Sequence, residues 1–128
     1  MLMTKSATGC WVNPHGDIVF LSEEMPTHDV VLDEYLPELA QLWKTKWEPA
    51  GEDYDVAVVD YALSKGWVQV CFEDDGVIII IADSVLSNDT KVKVIRMVEN
   101  RHPTKIYWQG KGMDRPSVVN IEELKQGL

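Results

Sequence analysis

Trp67-Val68-Gln69-Val70-Cys71-Phe72-Glu73-Asp74-Asp75-Gly76-Val77-Ile78-Ile79-Ile80-Ile81-Ala82 is the stretch that decides the fold. Two runs rich in β-branched and aromatic residues flank an acidic step that ends in Asp-Gly. Such runs suit strands, and Gly supplies the positive φ that a tight turn needs, so the stretch reads as a β-hairpin. Four consecutive isoleucines predict burial on both faces, the mark of a central strand covered by helices.

A second hairpin lies upstream. Cys10-Trp11-Val12 and Ile18-Val19-Phe20-Leu21 flank Asn13-Pro14-His15-Gly16-Asp17, where Pro presets the φ of a turn. Between the hairpins the pattern turns helical. Thr27 can cap a helix from His28 to Trp47, with Leu32, Leu36, Leu39 and Trp43 on one stripe. Pro37 removes a hydrogen-bond donor from that stretch and predicts a kink or two short helices meeting at Leu36-Pro37. Tyr54 to Lys65 is a further helix, with Gly66 where a left-handed cap belongs. Downstream, Thr90 to Asn100 reads as a helix with Ser87, Asn88 or Asp89 as cap and Val92, Ile95 and Val98 inside. His102-Pro103 ends it before a last strand, Lys105 to Gln109. Ser117 to Gln126 reads as a short strand plus helix, or as one helix.

Two hairpins favour antiparallel pairing. The expected fold is α+β: a mostly antiparallel sheet of two hairpins plus a C-terminal strand, packed with about three helices. A length of 128 residues suits one domain, 1–128, whose part after about residue 110 is expected to pack loosely. At 45% hydrophobic, with five Trp, the chain buries enough apolar surface to fold without disulfides or metal.

Charge is the most informative feature. The formal charge is -9, which disfavours direct nucleic-acid binding and an anionic membrane surface. Residues 17–60 carry twelve carboxylates against Lys44 and Lys46, so that segment is -10 and the rest of the chain +1. A solvated helical face that keeps the protein soluble accounts for this. So does an electrostatic surface for a basic partner protein, and Asp33, Glu34, Glu38, Glu52, Asp53 and Asp55, with Trp47 as anchor, are its candidate residues. The smaller basic set, Lys91, Lys93, Arg96, Arg101 and Lys105, reads as a wet helix face or an anion site, without the Gly-rich loop that cradles phosphate.

Catalytic and metal-binding patterns are weak. There is no Gly-x-Gly-x-x-Gly, Walker loop, His-Glu-x-x-His or Cys-x-x-Cys, and no metal or cofactor is expected. Glu52-Asp53-Tyr54-Asp55 lacks the Gly and distal Glu of a calcium loop and suits a helix start. His28, between Thr27 and Asp29, and Trp67 are the candidates for a small-ligand or nucleotide pocket, in a binding protein or an enzyme. Cys10 and Cys71 lie in apolar strands, and Met1 to Lys5 lacks the apolar core of a signal peptide. The longest apolar run, Val77 to Ala82, is far short of a membrane span. A cytoplasmic protein with two packed, reduced thiols is expected, with a Cys10–Cys71 disulfide as the alternative if their strands face each other.

Trp11-Val12-Asn13-Pro14-His15-Gly16-Asp17-Ile18-Val19, then His28, then Ala62-Leu63-Ser64-Lys65-Gly66-Trp67-Val68-Gln69-Val70 resembles small proteins encoded by tailed phages. In those, a Gly/Trp-rich hairpin with a Pro-x-Gly turn precedes a His, and an Ala-x-x-x-Gly-Trp-(Ile/Val)-x-Val segment follows. The similarity spans roughly residues 9–100, and the acidic stretch from Asp33 to Asp55 is outside the pattern. The resemblance implies a source and no activity. It makes a modulator of a basic host protein in the host cytoplasm, or a structural virion component, the functions to weigh.

Overall fold

The computed structural model describes residues 8–21, 35–73, 75–83, 86–110 and 115–127. The strands are β1 (Thr8–Val12), β2 (Ile18–Leu21), β3 (Val68–Phe72), β4 (Val77–Ala82), β5 (Lys105–Gln109) and β6 (Ser117–Val119). The α-helices are α1 (Glu38–Leu42), α2 (Tyr54–Ser64), α3 (Asn88–Arg101) and α4 (Ile121–Gly127), with a π-helical turn at Trp43–Trp47. The strands form one sheet in the order β2-β1-β3-β4-β5-β6. Every neighbouring pair is antiparallel except β4 and β5, which α3 joins by a parallel crossover. The fold is thus α+β, with both expected hairpins present and β1 paired to β3 between them.

Register sorts the side chains onto two faces. Cys10, Val12, Val68, Val70, Phe72, Ile78, Ile80 and Ile106 meet Val94 and Val98 of α3 and Leu124 of α4. Trp11 and Val19 face the other way and pack with Leu36, Leu39, Val58, Ala62, Leu63 and Trp67. β4 is internal to the sheet, as the isoleucine run implies. Its burial, however, is one-sided: Ile78 and Ile80 are buried, while Ile79 and Ile81 are half-buried. Cover on that second face thins toward β6, where Val118 is 59% exposed.

Local chemistry explains the helix ends. α1 starts directly after Pro37, so the break expected at Leu36-Pro37 is present. Asp53 caps α2 by accepting the Val56 N–H at 3.1 Å. At its far end Trp67 N–H donates to Ala62 O and Gly66 N–H to Leu63 O, both at about 3 Å, a Schellman arrangement. It needs the left-handed backbone that Gly66 adopts at φ 94°. Ser87 caps α3 and also donates to Pro14 O, while the buried Thr90 hydroxyl donates to Asn13 O. Those two bonds dock the first hairpin's turn onto α3 and set the rotation of the helix. The inner residues are therefore Thr90, Val94 and Val98, and Val92, expected inside, is 48% exposed.

Within residues 115–127 Leu124 is buried and most of the other side chains are exposed. Asn120 and Glu123 exchange backbone-to-side-chain bonds of 2.9 Å in a capping box, and Leu124 is 1% exposed in the core. A Cys10–Cys71 disulfide does not fit the register. Cys10 lies opposite Val70 and Cys71 opposite Gly9, so the two thiols leave neighbouring strands on opposite faces, and both are free. Burial, then the neighbouring Cys71, pushes the Cys10 thiol up to about 12, with Arg101 opposing; burial also raises Cys71. No helix among the described residues is long and apolar enough to cross a membrane.

Candidate functional site

The acidic segment divides at the boundary of the described residues. His28, Asp33 and Glu34 lie outside them. Glu38, Trp47, Glu52, Asp53 and Asp55 fall on the layer formed by α1, the π-helical turn, the loop 48–53 and α2. Asp55 sits in the first turn of α2.

The π-helical turn organises this layer. Glu48 N–H reaches back five residues to Trp43 O at 2.8 Å, and Thr45 Oγ1 donates to Gln41 O. Two tryptophans of the turn meet two tyrosines that stand two turns apart on α2. Trp43 and Tyr54 pack edge to face at 4.8 Å between ring centroids, and Trp47 and Tyr61 at 5.6 Å with planes 66° apart. Glu52 N–H then donates to Trp47 O at 3.0 Å, which folds the loop back onto the end of the turn. Gly51 permits that reversal at φ 77°.

The result is a surface groove of about 350 Å³ between the turn and α2. Trp47 and Tyr61 form an aromatic corner, Ala50 and Ala57 keep it open, and Glu52 and Asp60 supply carboxylates. Lys46 is the cation in its lining. Both rings are half-buried and both carboxylates are exposed.

Tyr61 has further partners. Its hydroxyl donates to Glu38 Oε2 at 2.9 Å, tying α1 to α2, and Lys65 Nζ stands 5.1 Å from its ring centroid. Desolvation, then the bond to Glu38, raises the phenol pKa, with Lys65 pulling the other way. Glu38 is therefore half-buried and engaged, not a free surface charge. Asp53 is exposed but serves as the α2 cap.

Trp67, expected near a ligand pocket, is 3% exposed and belongs to the core. Its ring meets Trp11 at 6.2 Å and Tyr35 at 5.7 Å, both edge to face. Sequence reasoning missed Asp60 and Tyr61 as groove residues. Helical spacing sets Asp60 in line with Val56 and Tyr61 in line with Tyr54 on α2, but nothing in the sequence pairs either residue with Trp47.

Two other cavities are present. One, of about 590 Å³, lies where α3 ends and β5 and α4 begin, lined by Val98, Ile106, Val119 and Ile121 together with Glu99, His102 and Lys105. Another, of about 600 Å³, lies at the ends of β4 and β5, between Leu63, Ile81, Asp83 and Gln109. Among the described residues no group of three His, Cys, Asp or Glu side chains is placed to hold a metal ion.

Comparison of the chain with protein-family models, with curated proteins and with solved structures gives no match in any of the three.

Proposed function

We propose that this chain is a small acidic binding module that acts on a basic partner protein without catalysing a reaction. One observation carries the reading: the aromatic groove of Trp47 and Tyr61 opens beside the exposed carboxylates Glu52 and Asp60, with Lys46 in the same lining. Trp47 and Tyr61 pack their inner sides on the core, and the groove they line lies beside those carboxylates. Half-buried aromatics ringed by charge are what interface anchors look like, because the ring supplies contact area and the charges steer approach. The resemblance to phage-encoded proteins makes a host protein the expected partner. The test is retention of proteins from a bacterial lysate by the chain and by the charge-reversed variant Glu52→Lys/Asp60→Lys. A basic protein held at low salt, released at high salt and lost by the double variant is the expected result. The same retained set for both chains overturns the reading.

A second reading, small-ligand binding, has its own observation in the apolar cavity under His102 and Lys105. Such a concave site with few polar groups is the usual form of a ligand pocket. A screen of small apolar carboxylates by thermal shift, repeated on Ile121→Trp to fill the cavity, tests it. Shifts seen with the native chain and lost in the filled variant are expected, and no shift for any compound ends this reading.

A further inference from the structure

We infer that the cavity at the end of α3 takes a single-chain anionic amphiphile, an alkyl carboxylate of medium length, with its head group at His102 and Lys105. The inference rests on the small-ligand reading above and specifies the class of ligand that site takes. Three observations point to an anion with an apolar tail.

The first is the backbone at His102. Among the described residues positive φ occurs at Gly16, Gly51, Gly66, Gly76 and His102, so His102, at φ 48°, is the one that carries a side chain there. It ends α3 by donating its N–H to Glu99 O at 3.3 Å, in a left-handed conformation that suits Gly because a Cβ crowds the following carbonyl. A histidine in that place costs stability, and its imidazole is not repaid by burial in the core: it is exposed, in the lining of the cavity. Strain of this kind gathers at positions that serve binding.

The second observation is charge. His102 and Lys105 stand in the lining with no ion-pair partner among the described residues, whereas Glu99, the acid of the same lining, is engaged by Lys125 Nζ at 2.8 Å. The cavity therefore offers unpaired donors to an anion, in a chain of net charge -9. Thr104 N–H donates to Gly76 O at 2.9 Å and its hydroxyl to Asp75 O at 3.1 Å, which ties the backbone between the two donors to the second hairpin before any ligand arrives. The third observation is the apolar wall. Val118, Val119 and Ile121 line the remainder, and Val118 is 59% exposed. A cavity of about 590 Å³ lies within the size range of small-ligand pockets, and an alkyl chain covers that wall while its carboxylate meets His102 and Lys105.

Calorimetry on the full chain with octanoate, 1-octanol and octylammonium, each below micelle formation, tests this. Octanoate is expected to bind about three- to tenfold tighter than octanol, between the worth of an exposed ion pair and that of a charged hydrogen bond, with octylammonium weakest. Lys105→Met, which keeps the stem, is expected to bring octanoate down to the affinity of octanol. His102→Gly is expected to weaken octanoate about threefold, while its melting temperature stays the same or rises because Gly relieves the backbone. A lower melting temperature for His102→Gly makes the histidine structural and overturns its place in the site. Equal affinity for the three compounds overturns the anionic inference and leaves the small-ligand reading standing. A preference for octanoate that survives both substitutions places the anion elsewhere and also overturns the inference. Binding of none of the three overturns the inference and the small-ligand reading together.

Discussion

The two faces of the sheet are built from different chemistry. On one, aliphatic side chains of β3, β4 and β5 interlock with Val94 and Val98 of α3 and Leu124 of α4, all at most 6% exposed with Ile106 the least covered. On the other, Trp11 and Trp67 pack under Leu39, Val58 and Ala62, and the same helical layer carries Trp47, Tyr61 and the exposed acids outward. The first face spends its residues on close packing, which is where buried aliphatic area contributes most stability. The second uses aromatic rings twice, as core below and as a groove wall above. The proposed binding surface therefore sits on the layer whose outer side can change without reaching the deepest core.

Substitutions on β4 compare the faces most sharply. Ile80→Ala, at 0% exposure against α3, is expected to cost about 3–4 kcal/mol, and Ile79→Ala on the half-covered face about 1–2 kcal/mol. Urea unfolding measures both, and equal losses would mean the faces are packed alike.

Alkaline pH probes the same aliphatic face. Cys10 is raised from 9.0 to about 12 in the folded protein, so the folded state holds its proton more tightly than the unfolded chain. Its contribution is complete below pH 9, falls as pH rises above that, and is gone once pH passes about 12. Relative to Cys10→Ala, the native chain should lose up to about 1.4 kcal/mol per pH unit across that window. Parallel pH profiles for the two proteins would remove Cys10 from the account.

Caps give a smaller contrast. Ser87→Ala breaks the α3 cap and the tie to Pro14 together and is expected to cost about 1–2 kcal/mol. Asp53→Ala removes only the α2 cap bond and should cost about 1 kcal/mol. A larger loss at Asp53 would show that the groove layer, not the hairpin dock, limits stability. The smallest effect belongs to Glu52→Lys and Asp60→Lys, each expected to change thermal stability by less than about 0.5 kcal/mol. A larger stabilisation would mark the carboxylates as self-repelling, and a larger loss would give them a structural role.

Much of this architecture was legible beforehand. Both hairpins, the helix break at Pro37, the Gly66 cap and the central place of the isoleucine strand follow from rules that act within a few residues. Turn geometry, proline's missing donor and side-chain alternation need no distant partner. The phase of α3 was not legible, because Val92 and Val94 are equally apolar and the choice shows only in the packing of Val94 and Val98 on the sheet and in the bonds from Ser87 and Thr90 to the first hairpin. The sheet order, the parallel β4–β5 pair and the opposite-facing thiols likewise depend on contacts between remote segments. The candidate site divides in the same way. Composition by itself determined that residues 17–60 are acidic and contain Trp47. Only the tertiary structure decided that Glu38 is committed to Tyr61 and that Glu52 and Asp60 share a groove with Trp47. The physical reason is range: charge and turn propensity belong to single residues, whereas a groove exists only where packing brings the sides of two elements together.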